Sequence, residues 1–181
     1  GGRLKASLRP IEQLLPLNLV ERGDLRQIRG LSAVANLPRD IAKRQRQRVV
    51  SRLGASYPLN DIRTVQLPSH FKGTFLLLLA EFEQGQACYF GLGAPGKRAE
   101  VVADEAIDEL EAFMASDGAI DQYLADQILL PLAFAEGPSK FRASKVTQHL
   151  LTHAEIIQQS LPVKINISET GIVAILPNTL I

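Results

Sequence analysis

The chain has 181 residues, 46% of them hydrophobic and 22% charged, which supports a packed core in one domain or two small ones without staples. Its formal net charge is +1, and its single cysteine, Cys88, excludes an intrachain disulfide and fits a reducing, cytoplasmic setting. The longest apolar run, Phe75 to Ala80, is far below the roughly 20 residues a spanning helix requires, so no membrane-spanning helix is expected.

In chain order, the front end reads as short strands over Leu4–Leu8, Leu17–Glu21 and Leu25–Ala35, with Arg22-Gly23-Asp24 as a turn between the second and third. Pro38 suits a first helical position, and a helix follows to Leu53, ended by Gly54, with Ala42, Val49 and Leu53 on one side. Strands are expected over Ile62–Leu67, Thr74–Glu83 and Ala87–Leu92, the last two joined by a hairpin turn at Gly85. An amphipathic acidic helix covers 101–115, and Asp117-Gly118 breaks it. A second helix runs from Ala119 through Leu129 until Pro131 kinks it. A strand near Lys140–Ala143, a helix from Thr147 to Ser160, and a hairpin of Val163–Ser168 and Ile172–Leu176 complete the chain. Interleaved strands and helices place the protein in the α/β (α+β) class. The stretch 26–95 reads as a small unit of its own. The chain opens on Gly1-Gly2 with no Met, which is expected of a cut, processed or fragmentary chain.

The charges are unevenly spread. Residues 1–63 carry thirteen Lys and Arg against five Asp and Glu, whereas 64–181 carry seven against fourteen. The halves either attract each other, or the basic one attracts a polyanion such as RNA. On the helix 39–52, Arg44, Arg48 and Arg52 form one ridge, and Arg39, Lys43 and Arg46 another. A solvated face is the ordinary reading, and phosphate contact the sharper one.

Several residues carry chemistry. The loop from Gly91 to Lys97 matches phosphate-binding patterns on paper. However, Arg98 stands where a magnesium-binding hydroxyl belongs, and Pro95 removes a backbone donor, so a linker between two units is the better reading. Cys88 is expected as a small buried hydrophobe. His149 and His153 share a helix face, but Leu150 replaces the Glu of a zinc-protease motif and no third ligand is evident, so no metal site is expected on this pair. His149 lies in the first turn of its helix, behind Ser144 or Thr147 as cap. The helix dipole there favours an uncharged ring whose lone pair can attack phosphorus, and phosphates are welcome at the same end. Tyr123, Asp126 and Gln127, at i, i+3 and i+4, put a ring, a carboxylate and an amide on one face, a set that suits a nucleoside.

The stretch Gly118-Ala-Ile-Asp-Gln-Tyr123-Leu-Ala-Asp126-Gln127-Ile-Leu-Leu-Pro131 resembles the "YLADQ…LP" segment of the RNA 3′-terminal phosphate cyclases. Thr147-Gln-His149-Leu-Leu-Thr152, leading to Leu161-Pro162-Val163, resembles that family's "HLLT…LPV" segment. The resemblance implies βαβαββ-type repeat units of the cyclase/enolpyruvyl-transferase-like fold, with a small inserted α/β domain. The insert would be 26–95, and the core 1–25 plus 96–181. It implies an ATP-dependent ligase that makes RNA 2′,3′-cyclic phosphate ends through a covalent histidine–AMP intermediate. His149 would be the nucleophile, Tyr123 would stack on adenine, and Asp126 and Gln127 would line the nucleotide site. The implied cofactors are ATP with Mg or Mn. The implied partners are RNA with a 3′-phosphate end and a missing N-terminal half of the same fold, since family members are roughly twice as long. The position after "HLLT", often Asn in the family, is His153 here. A non-catalytic RNA-binding or ribosome-assembly relative of the same fold is the alternative.

Overall fold

A computed structural model describes residues 3–177 and contains two four-stranded sheets with five helices. The first sheet has the order β3-β2-β4-β5, built from β2 (Leu25–Ala35), β3 (Leu59–Gln66), β4 (Gly73–Phe82) and β5 (Gln86–Leu92). The second has the order β1-β6-β8-β7, built from β1 (Asn18–Leu19), β6 (Ser139–Arg142), β7 (Val163–Ile167) and β8 (Ile172–Pro177). The helices are α1 (Arg39–Leu53), α2 (Ala99–Met114), α3 (Gln122–Gln127), α4 (Leu129–Ala133) and α5 (Gln148–Ser160).

In the first unit, strict alternation along β4 turns Leu76, Leu78, Ala80 and Phe82 inward. Helices α1 and α2 both cover that face. Val49 and Leu53 of α1 and Ala106, Ile107, Leu110 and Phe113 of α2 join one apolar cluster with it. Strands β2 and β3 are parallel, so α1 is their crossover, while β2–β4 and β4–β5 are antiparallel. The α1 core stripe contains one polar residue, Gln45, fully buried. Ser32 Oγ donates to its Oε1 at 2.6 Å, and its Nε2 donates to Thr74 Oγ1 at 2.9 Å, so no group of the trio is left unpaired.

The second unit has its own cluster, in which Phe141, Val173 and Ile175 meet Ala125, Leu129, Leu150, Ala154 and Ile157 of the helices. Its element order is strand, helix pair, strand, helix, strand, strand. The whole first unit enters after the first of these strands.

Four expectations are corrected. The boundary at 95 falls inside the first unit, because α2 buries its apolar face on β4 and β5 rather than on the second sheet. The segment 91–97 is therefore a connection within that unit and not a linker between two. Leu4–Leu8 is not a strand: no sheet edge pairs with it, and Leu4 and Leu8 are exposed. The helix expected from Ala119 starts at Gln122, because Asp121 caps it by accepting from the N–H groups of Tyr123 and Leu124, both at 2.9 Å.

The uneven charge finds its partner inside the first unit. Arg44 of α1 pairs with Glu100 of α2 at 2.7 Å, and Arg48 with Asp104 at 2.7 Å. Arg52 reaches Asp104, Asp108 and Glu111. The ladder holds two parallel ridges together, and Arg52 bridging three carboxylates makes it a network rather than isolated pairs. Hydrogen bonding to Arg44, with further help from the Glu100 backbone and the Arg44 charge, holds the Glu100 carboxyl down at about 2. A carboxylate depressed in the folded state favours folding above its unfolded value and loses that contribution as pH falls through the folded one. Thermal stability is therefore expected to drop on acidification from about 4.5 toward 2, and Glu100→Gln is expected to flatten that part of the profile in circular-dichroism melts.

Candidate functional site

The two units meet at Arg22. Its guanidinium donates to the carbonyls of Phe113 (3.1 Å) and Met114 (3.0 Å) at the end of α2, and to that of Gly118 (2.6 Å) in the segment leading to α3. It also lies over the rings of Phe113 and Phe82, 4.7 and 5.2 Å from their centroids. Partial burial lowers its pKa, against the pull of Asp117 and Tyr89. The negative end of the α2 dipole is thus met by a cation that also grips the outgoing chain.

That chain is then sewn to the second sheet. Ala119 and Ile120 donate to the Arg142 carbonyl at 2.9 and 3.0 Å, and Ser144 donates to the Ile120 carbonyl at 2.8 Å. Gly118 packs so closely on Ser144 that a Cβ there would overlap its backbone. These bonds set α3 beside the turn that precedes α5.

A cleft of about 960 Å³ opens between the units. One wall is β5 and α2, with Cys88, Phe90, Glu105 and Glu109. The other carries Tyr123 and Gln127 of α3 and Ser144 and Lys145 ahead of α5. Tyr123 is 53% exposed, and its hydroxyl donates to Glu109 Oε1 at 3.4 Å across the opening. The buried side of α3 holds Ala125, whereas Leu124 is half open to solvent. Cys88 is exposed on the cleft wall rather than buried as expected, because its side chain points from the sheet face that α1 and α2 leave uncovered. Partial desolvation, with some help from Asp121, pushes its thiol pKa up, so it is not an activated nucleophile.

His149 is exposed in the first turn of α5. Thr147 is its cap, accepting from the Leu150 N–H at 3.1 Å. The same helix face turns toward α3 one turn later, where His153 Nδ1 bonds the Asp126 carbonyl at 3.0 Å. Tyr123 and Gln127 line the cleft; Asp126 and His149 do not, and they stand on the two helices that flank its α3 side. Among the described residues, no group of three or more His, Cys, Asp or Glu is placed to hold a metal ion. The glycine loop does not open toward a ligand: Lys97 donates to the Leu92 carbonyl at 2.8 Å and pairs with Glu105. Sequence reasoning passed over Asp121 and Lys145, and took Ser144 only as a possible cap, a role that Thr147 fills. Asp121 carried a readable signal, an acidic cap two residues before the tyrosine.

A family model described as "RNA 3'-terminal phosphate cyclase (RTC), insert domain" matches residues 20–115, which takes in α2 with the first sheet. The chain is similar to the RNA 3′-terminal phosphate cyclase of Pseudomonas fluorescens, 40% identical over 166 residues, covering 91% of this chain and 47% of that protein. It is also similar to the proteins of the same name from Nostoc punctiforme (32% identical, 93% of this chain and 49% of that one) and Gloeothece citriformis (31%, 88% and 45%). The chain spans about half the length of these curated relatives.

Replacing Arg22 by Met keeps the bulk and removes the guanidinium's three bonds, leaving the Phe113 carbonyl to its Ser116 donors. Urea denaturation is expected to show a loss of about 2–3 kcal/mol, from charged hydrogen bonds and ring contacts together.

Proposed function

The chain belongs to the RNA 3′-terminal phosphate cyclase family, and we propose that it carries the nucleotide-reactive part of an enzyme that converts RNA 3′-phosphate ends to 2′,3′-cyclic phosphates using ATP. The observation that carries this reading is the placement of His149: solvent-open, in the capped first turn of α5, on a helix whose His153 touches the helix bearing Tyr123 and Gln127. The relatives bear the enzyme's name, which favours catalysis over a non-catalytic RNA-binding role. We read the second unit as one βαβαββ-type repeat of the cyclase/enolpyruvyl-transferase-like core, and the protein as cytoplasmic. No helix among the described residues is long and apolar enough to cross a membrane.

In the proposed reaction a ring nitrogen of His149 attacks the α-phosphorus of ATP. An N–P bond forms, the bond to the bridging oxygen breaks, and pyrophosphate leaves. The RNA 3′-phosphate then takes AMP from the histidine, breaking the N–P bond. The adjacent 2′-hydroxyl attacks the 3′-phosphorus, loses its proton and expels AMP as the ring closes. Tyr123 stacks on adenine and Gln127 holds the nucleoside from the same cleft wall, while Asp126, outside the cleft, bonds His153 of α5 through its carbonyl. A bound Mg or Mn would supply charge neutralisation at phosphorus. The half present in the relatives but outside this chain supplies the remaining phosphate and RNA contacts.

Incubation with α-labelled ATP and Mg is expected to leave acid-labile label on the chain, assayed alone and combined with the relatives' other half. His149→Ala is expected to abolish the label and His153→Ala to retain it. Label persisting on His149→Ala would overturn the assignment. Tyr123→Ala is expected to raise the ATP concentration for half-labelling about tenfold by removing the stacking surface.

A further inference from the structure

The second basic ridge of α1 has no part in that chemistry, and it differs sharply from its neighbour. Arg44, Arg48 and Arg52 turn to α2 and are neutralised by four carboxylates. Arg39, Lys43 and Arg46 turn to β3, and no carboxylate pairs with them among the described residues. Their anchors are neutral: Arg39 Nε donates to Gln66 Oε1 at 2.7 Å, and Arg46 Nε to the Ile62 carbonyl at 3.0 Å. A neutral acceptor fixes a guanidinium without cancelling its charge, so the ordering cost is already met and the charge stays available. Asp61 of β3 pairs with Arg63 at 3.1 Å, and Asp40, beside Arg39 on α1, makes no salt bridge among the described residues. Beside Arg39 and Lys43 lies a recess of about 240 Å³, to which β3 adds Thr64 and Gln66.

We propose that this groove between α1 and β3 binds backbone phosphates of the RNA. The inference rests on the reading that the protein acts on RNA, and adds a second contact region to it. The ridge runs over eight residues of helix, from Arg39 to Arg46, roughly 10 Å, longer than one phosphate and suited to a chain of them. No aromatic side chain lines the recess, so it has no stacking platform and reads charge rather than sequence. Its position excludes the reacting end. Strand β3 is one edge of the sheet and β5, at the cleft, is the other, with three strand spacings between them, roughly 14 Å. The phosphates held here therefore belong to nucleotides upstream of the 3′ terminus.

The test is the affinity of the chain for a fluorescein-labelled single-stranded oligoribonucleotide, measured by anisotropy across a salt series. Arg39→Gln/Lys43→Gln is expected to weaken binding about tenfold and to flatten the dependence of log K on log salt by about 1.4, near 0.7 for each phosphate no longer neutralised. Arg26→Gln/Lys164→Gln, the same charge change at exposed sites elsewhere, is expected to leave the slope nearly unchanged. Equal effects of the two pairs, or no measurable binding by the unaltered chain, overturn the proposal. Inorganic phosphate that abolishes the difference between the pairs at constant ionic strength also overturns it, since that marks a free-phosphate site. Labelling of His149 by ATP needs no RNA and is expected to be unaffected by the Arg39/Lys43 pair. Loss of labelling in the unaltered chain therefore tells against the enzyme reading and not against the groove.

Discussion

Two independent apolar clusters, one per sheet, leave each unit free to fold around its own core, so their relative placement depends on few contacts. Arg22 supplies a dense set of them. Its planar fork serves three carbonyls at once while its face lies on two buried rings, a combination that a lysine's point charge could not reproduce. At the end of α2 the Phe113 carbonyl also accepts from Ser116, whereas the Met114 carbonyl is met by this cation. Because the same side chain holds Gly118, the end of one cleft wall and the start of the other are fixed to a single cation.

The charge distribution along the chain acquires a plain physical meaning. Much of the excess of arginine early in the sequence and of acid later is one helix facing another, and the ladder between α1 and α2 uses it up on one side only. On the other side of α1 the cations are oriented by an amide and a carbonyl, which leaves their field intact. One helix thus serves packing with one ridge and keeps the other for an anion.

Periodicity made most of the fold legible. Strands β2, β4 and β5, helices α1, α2 and α5 and the closing hairpin fall within a few residues of where alternation, helical spacing and turn residues put them. What could not be read depends on distant partners. Leu4–Leu8 has the pattern of a strand but no edge to join. The ownership of α2 is decided by which sheet its Leu110 and Phe113 reach, and nothing local to residues 99–114 records that. Gln45 looks like a solvated residue in the sequence and is a buried one, because Ser32 and Thr74 arrive from two strands to satisfy it. Of the motif-bearing residues legible in the sequence, Tyr123 and Gln127 line the cleft, whereas Asp126 and His149 stand on the flanking helices outside it. The opposite wall, with Phe90 and Glu109, was not legible, because it comes from the other unit.

The closeness of Arg22 and Gly118 has a consequence for how such a protein can be built. The chain leaves the second sheet after β1 and returns ahead of α3 at points bridged by the Arg22 side chain, whose guanidinium donates to the Gly118 carbonyl. Everything between is a self-contained sheet with its own helices. A short connection spanning the reach of one arginine side chain would join β1 to α3 with the second unit's own apolar cluster intact. The first unit therefore has the connectivity of an insertion, with its two ends close together and a core of its own.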